Sequence, residues 1–414
     1  MGNPFIIPDC PDPLWDVPFS FGREYKVRID ERVRQFQPSA EMLSASPVMI
    51  HVPGAPEAVS HYAVDGTKLQ VSSDRTILAP GKIPEDGRYC SEIGSAHIEA
   101  FLKKGTRDYL YVFPDGARTR NQGRDLAPLP SFLRWSWYRL TSASLLCLED
   151  PMFYTYSDLK LGWFYGTRDE DYTEYCALLV RHIADLLSIP PSHIIFYGPS
   201  GGGHAAICMS AFIPGSTAVS VNGQYDISLH SYYREGHFTR ITGMSTADPC
   251  GLVRNRSAEI ILEHPENHFL LINNIQSKQD FEEQLKCLCG RLNVTPRYGL
   301  QTNGNLTVWI FDAKGIPSTH STFETPVLFR MIDILLLNLI NGAKAQDFPQ
   351  YCELISQYWK EQYDLLHKIS KLENDLKNPA KARLKGRLSG ILNLPWRIAR
   401  KLRSIIRSIA KPER

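Results

Sequence analysis

Between about residues 86 and 342, short apolar runs alternate with stretches in which apolar residues recur at helical spacing. The runs Tyr109–Phe113, Ser144–Leu148, Ile194–Tyr197, Ala218–Val221, Phe269–Ile272 and Leu306–Phe311 are four to six residues long and mostly apolar, as strands covered on both faces are. Between the second and third runs, Cys176, Leu179, Ile183, Leu186 and Leu187 recur at helical spacing, which predicts a crossover helix laid by one stripe onto a sheet. A very apolar helix is predicted from Pro326 to about Asn341, closed by Gly342 at its C-cap. The alternation as a whole predicts an α/β fold, a mostly parallel sheet with helices on both faces.

The flanks read differently. Residues 1–85 predict a small β-rich accessory region, with strands at Tyr25–Ile29 and Met49–Val52 and a hairpin turning at Asp65-Gly66. Residues 86–345 are the expected catalytic domain, and residues 346–376 a charged helix with scattered leucines. In the last segment, 377–414, Ile398, Leu402, Ile405, Ile406 and Ile409 fall on one face and Arg397, Arg400, Lys401, Arg403 and Arg407 largely elsewhere, the layout of an interfacial helix.

Composition sharpens this division. A chain of 414 residues with 43% hydrophobic content is long enough for one large core with accessory segments. Its net charge of +2 conceals twelve Lys or Arg against the single acid Glu413 in residues 377–414, so the body before them carries about −9. Polyanion contacts are therefore expected from the tail alone. Nine cysteines without a Cys-x-x-Cys pair predict neither a disulfide scaffold nor a metal site. Acids and prolines in Met1–Phe21 are unlike a signal peptide, and no run approaches the ~20 apolar residues of a membrane span. These features predict a cytoplasmic protein.

Candidate chemistry centres on Gly198-Pro199-Ser200-Gly201-Gly202, which matches Gly-x-Ser-x-Gly. It follows the apolar run His193–Tyr197 and precedes the small, helix-compatible run Gly203–Met209. A strand turning sharply into a helix holds a serine in a strained conformation, and flanking glycines let the backbone pass closely. A serine hydroxyl is a weak nucleophile until a histidine takes its proton and an acid orients that histidine.

His320, in the loop after the last strand, is the candidate base. Asp280 is the candidate acid, with Asp226 and Asp312 as rivals. For the oxyanion, one donor is the amide of Gly201 and the second is that of Gly116 or Ala117, in the turn after Tyr109–Phe113. His204, on the helix behind the serine, is expected to be a packed core residue. The aromatic and arginine-rich stretches Phe132–Arg139 and Leu161–Arg168 suit pocket lining and ordinary packing equally well.

From about residue 108 to 323 the chain resembles the α/β-hydrolase superfamily, because the 113–117 turn, the Ser200 elbow, Asp280 and His320 occur in that order. More loosely, Asp150-Pro151, Leu161–Gly166 and the Gly-Gly-Gly-His run resemble a bacterial branch of serine esterases and O-acetyltransferases. That branch is associated with surface polysaccharide synthesis and accessory Sec secretion. The resemblance implies acyl transfer through Ser200, with no bound cofactor, acetyl-CoA as acyl donor and a surface or capsular polysaccharide as acceptor, or ester hydrolysis from such a glycan.

It also implies a setting at the inner face of the cell membrane. There the basic tail could rest on anionic lipid beside other polysaccharide-synthesis proteins, each well-placed cation contributing about 1 kcal/mol. No nucleic-acid partner is expected. The competing expectation is a catalytically silent hydrolase-fold scaffold whose tail recruits a synthesis complex to the membrane.

Overall fold

A computed structural model describes residues 86–118, 126, 129–313, 320, 324 and 326–340. The expected β-rich segment 1–85, the charged helix 346–376, the basic tail 377–414 and Gly342 lie outside the described residues.

Among the described residues, nine strands form one sheet: β1 (Gly87–Ile93), β2 (Ala96–Lys103), β3 (Arg107–Pro114), β4 (Ala143–Leu148), β5 (Ile194–Pro199), β6 (Thr217–Val221), β7 (His268–Asn274), β8 (Gly299–Asn303) and β9 (Leu306–Phe311). Their order is β1-β2-β4-β3-β5-β6-β7-β9-β8. Strands β4, β3, β5, β6, β7 and β9 run parallel, while β1, β2 and β8 pair antiparallel at the two ends. With helices on both faces, this is the α/β-hydrolase fold.

All six apolar runs become the parallel strands, and β4, β6 and β9 are buried at every position. Alternate residues of these strands feed opposite layers. Tyr111, Phe113, Leu145, Tyr197 and Trp309 pack with Leu328, Phe329 and Ile332 of the last helix, Pro326–Ile340. Leu110, Val112, Leu146 and Phe196 point the other way, into the layer of the crossover helix α1 (Tyr172–Leu186) and the elbow helix α2 (Ser200–Ser210).

The strands at the two ends of the sheet escaped the apolar-run pattern for a physical reason. Strand β1 and the start of β2 put Tyr89, Ile93, Ala96 and Ile98 into the core but set Cys90, Glu92 and His97 on the other side, so the only continuous apolar run there is the short Ala100-Phe101-Leu102. In β8, Gly299–Asn303, no residue is buried. Its signal is the turn: Gly304, at φ +60°, closes a two-residue loop onto β9.

Helix α1 starts where Asp171 accepts hydrogen bonds from the amides of Thr173 and Glu174, satisfying two donors that a helix N-terminus leaves free. Its buried stripe is Cys176, Leu179, Val180, Ile183 and Ala184. Helix α2 is buried from Gly201 through Ser210. A Cβ on Gly202 would stand 2.5 Å from the carbonyl oxygen of Pro114, and one on Gly198 would stand 2.3 Å from the Gly202 backbone. Glycine is therefore required for β3, β5 and α2 to meet at one corner. Among the described residues, no helix is long and apolar enough to cross a membrane.

Replacing Asp171 with alanine removes the α1 cap and is expected to cost about 0.5–2 kcal/mol. The check is a lowered midpoint of urea unfolding with an unchanged slope.

Candidate functional site

The elbow forms at the carboxyl end of β5. Pro199 is extended at φ −92°, ψ 161°, and Ser200 then adopts φ +53° as the first residue of α2. Positive φ in a non-glycine residue is a strained conformation costing of order 1–3 kcal/mol. The backbone on either side of Ser200 is closely packed, Gly202 against Pro114 and Gly198 against Gly202.

Three loops at this edge of the sheet converge on Ser200. After β3, the Gly116 Cα lies against the elbow: an added Cβ would be 3.6 Å from the Pro199 oxygen and 3.7 Å from the Gly202 nitrogen. Neither the Gly116 nor the Ala117 amide donates to another described backbone carbonyl. After β6, Gln224 Nε2 donates to Ser200 Oγ at 2.9 Å, and the Gln224 amide donates to the Ser200 carbonyl at 3.1 Å. In the loop after β4, Trp163 Nε1 donates to Gln224 Oε1 at 2.5 Å. An indole N–H can only donate, so it fixes which end of the Gln224 amide faces the serine.

Asp280 follows β7 in a π-helical turn, Gln279–Leu285, and is buried. His320 Nδ1 donates to Asp280 Oδ2 at 2.6 Å, and the hydroxyl of Ser277 donates to the same oxygen. Asn222 Nδ2 donates to the His320 carbonyl at 3.2 Å, so the loop that reaches Ser200 through Gln224 also holds the backbone of His320. Among the described residues, Ser200 and His320 share no hydrogen bond. The serine oxygen is engaged by Gln224 instead.

The other acids are committed elsewhere. Asp226 accepts from the Ser228 amide at 2.9 Å and from Asn255 Nδ2 at 2.7 Å, and Asp312 accepts from Gln276 Nε2 at 2.5 Å. His204 is buried, with Nδ1 donating to the Gln224 carbonyl at 3.1 Å. Burial pushes it down to about 4, so it is a neutral packing residue that buttresses Gln224.

Burial works against a charge on His320, but the hydrogen bond and charge of Asp280, with a contribution from Glu324, outweigh it and raise the imidazole above its ordinary value. His230 moves the opposite way, down to about 4, through burial and then the positive charge of His320. Its Nδ1 accepts from the Tyr232 amide at 3.2 Å, so its role is to cap that turn.

Two supports lie behind these loops. Arg134 makes a bidentate pair with Glu324 at 2.8 and 2.6 Å and approaches Asp115 at 3.9 Å, coupling the turn at Gly116 to the segment after His320. Its guanidinium is buried, with Nε and Nη2 bonded to Glu324 and Nη1 left with only the longer ionic contact to Asp115. Asp150 accepts from the amides of Met152 at 2.9 Å and Phe164 at 3.0 Å, which pins the loop carrying Trp163. Burial raises its carboxyl to about 7.

No model of a known protein family matches the chain, and no curated protein is similar to it in sequence. Among solved structures, a variant of the capsule O-acetyltransferase of Neisseria meningitidis serogroup A in complex with CoA is 14% identical over 59% of this chain and 94% of that one, with a TM-score of 0.42. A propionate-bound esterase of Thermogutta terrifontis is 13% identical over 64% and 98%, TM-score 0.38. Prolyl oligopeptidase B of Galerina marginata is 13% identical over 63% of this chain but 37% of its own, TM-score 0.42. All three are below 15% identity, and they comprise a transferase, an esterase and a peptidase.

The residues that the sequence pattern did not single out are Gln224, Asn222 and Ser277, together with the individual role of Trp163. For the loop after β6, the available signal is Asn222-Gly223 immediately following an apolar run.

The Asp280–His320 pair gives a direct expectation. In Asp280→Asn the carboxylate is lost while burial remains, so the His320 titration midpoint falls. Imidazole NMR shifts followed against pH should show a lower midpoint than in the unsubstituted protein. An unchanged midpoint would mean that Asp280 does not set the charge of this ring.

Proposed function

We propose that this chain is a serine acyltransferase or carboxylic-ester hydrolase working through an acyl-Ser200 intermediate. The observation that carries this reading is His320 Nδ1 bonded to buried Asp280, on a loop tethered by Asn222, two residues from the Gln224 that reaches Ser200. With Nδ1 occupied, Nε2 is the ring atom left to take a proton.

In the proposed reaction, His320 accepts the hydroxyl proton as Ser200 Oγ attacks the acyl carbon. The amides of Gly201 and of Gly116 or Ala117 stabilise the oxyanion. The leaving group takes the proton back, and the acyl group then passes to a sugar hydroxyl or to water by the reverse proton path. A removed oxyanion donor typically costs about 10²–10³ in kcat. Asp280 orients the imidazole and favours its charged form.

The donor and acceptor we propose are acetyl-CoA and a surface or capsular polysaccharide. Their support is the likeness of the Asp150-Pro151, Leu161–Gly166 and Gly-Gly-Gly-His segments to the O-acetyltransferase branch. We place the enzyme peripherally at the inner face of a membrane through residues 377–414, whose net charge of +11 and apolar stripe suit anionic lipid. One observation favours the silent-scaffold reading: the Ser200 oxygen is bonded to Gln224 and not to His320. Catalytic hydrogen bonds often tighten only when substrate is bound, so reactivity decides between the two readings.

The protein is expected to react with a fluorophosphonate probe and to release p-nitrophenol from its acetate ester, and Ser200→Ala abolishes both. A neutral imidazole is required, so kcat/KM should rise with pH through a midpoint above that of an ordinary histidine. Absence of labelling in the unsubstituted protein selects the scaffold. Formation of acetylated glycan from acetyl-CoA, in preference to steady ester hydrolysis, identifies the transferase.

Flotation with vesicles containing anionic lipid tests the tail. The full chain should float and a chain lacking residues 377–414 should not, whereas equal flotation would remove the anchor.

A further inference from the structure

In the antiparallel pairing of β1 with β2, Cys90 stands opposite Glu99 and Glu92 opposite His97. Opposed residues share a face, as do residues two apart on one strand. The register therefore sets all four side chains in a two-by-two array, while Tyr89, Ile93, Ala96 and Ile98 turn to the core on the other face.

His97 is the hub of this array. Its Nδ1 is 2.5 Å from Glu92 Oε1, and Cys90 Sγ is 3.6 Å from both ring nitrogens and 3.9 Å from Glu92 Oε1. Around a tetrahedral zinc-class ion, with metal–sulfur near 2.3 Å and metal–nitrogen or –oxygen near 2.1 Å, neighbouring donors stand about 3.3–3.6 Å apart. The distances of the sulfur to Nδ1 and to Oε1 are within a few tenths of that spacing. The nitrogen–oxygen contact is a hydrogen bond and must open by about 0.8 Å, which the exposed Glu92 side chain can do. A turn of the imidazole then aims Nδ1 at the shared ion.

The other side of the ring is already furnished. Nε2 lies 3.1 Å from Oε1 of Glu99, a carboxylate that is buried. Metal-bound histidines almost always donate their second N–H to such a group, which fixes the tautomer and strengthens the ligand.

We infer that Cys90, Glu92 and His97 form a binding site for a divalent cation of the zinc class, with Glu99 as the carboxylate that positions the imidazole. The mixed sulfur, nitrogen and oxygen set disfavours magnesium and calcium, which take oxygen ligands. Binding releases the thiol proton of Cys90 and the proton on Nδ1, so a thiolate, a carboxylate and a neutral imidazole face the ion while water takes the fourth corner. The spacing Cys-x-Glu-x4-His-x-Glu is created by strand register, so a search for Cys-x-x-Cys pairs does not find it. Strands β2, β4 and β3 separate β1 from the elbow strand β5, so this site stands independently of the acyl-transfer reading.

The test uses the full chain, stripped with a chelator and titrated with Co²⁺. One equivalent should bind with a thiolate-to-cobalt charge-transfer absorption that is lost in Cys90→Ser and kept in Cys287→Ser, whose thiol is exposed elsewhere. By calorimetry, Zn²⁺ affinity should fall about 10–100-fold in Glu99→Gln. It should fall at least tenfold in Glu92→Gln, an exposed position where folding is not at stake, with circular dichroism reporting the fold of each variant. No charge-transfer band in the unsubstituted protein, or a band that survives Cys90→Ser, overturns the proposal.

Discussion

The constraint on which the candidate site depends is steric: three backbone segments meet at one corner with no side chain between them. Gly202 lies against the Pro114 carbonyl, and Gly198 lies against Gly202. Helix α2 is consequently pressed onto the sheet, and the residue joining it to β5 is forced to φ +53°. The strain at Ser200 is thus sustained by the surrounding close packing, which resists local relaxation because interiors are as dense as organic crystals. The same crowding brings the turn after β3 against the elbow.

Around this corner the polar groups are arranged in supports of increasing distance. Ser200 is held by Gln224, Gln224 by Trp163 and His204, and the Trp163 loop by Asp150. On the other side, His320 is held by Asp280, and Asp280 by Ser277. Arg134 spans the gap between the Asp115 turn and Glu324. Burying these charges is tolerable because each is hydrogen-bonded or paired. Removing one partner would leave the other exposed to the full cost of desolvation.

Much of this was legible in the chain. A strand buried on both faces writes itself as an apolar run, and all six such runs became parallel strands. The antiparallel ends were harder, since β1 alternates core residues with Cys90 and Glu92 and β8 buries nothing. Chain order named Ser200, Asp280 and His320, but it left Asp226 and Asp312 open because proximity in space depends on where the π-helical turn after β7 points. Gln224 and Asn222 were illegible for a related reason. Their partners are 24 and 98 residues away, and amide side chains carry no pattern that announces such a contact. The stretch Phe132–Arg139 suited pocket lining and packing equally from sequence, and the buried pairing of Arg134 with Glu324 gives that residue a packing role.

The donor-only indole of Trp163 has a consequence for the direction in which the serine can give its proton. With Gln224 locked so that its N–H bonds point at Oγ, one lone pair of that oxygen is taken and the amide offers nothing to receive a hydrogen. The hydroxyl hydrogen must swing away from residue 224, toward whatever acceptor enters the opposite side of the corner. A tryptophan 37 positions upstream therefore sets the polarity of the serine, as a one-way valve sets the direction of flow.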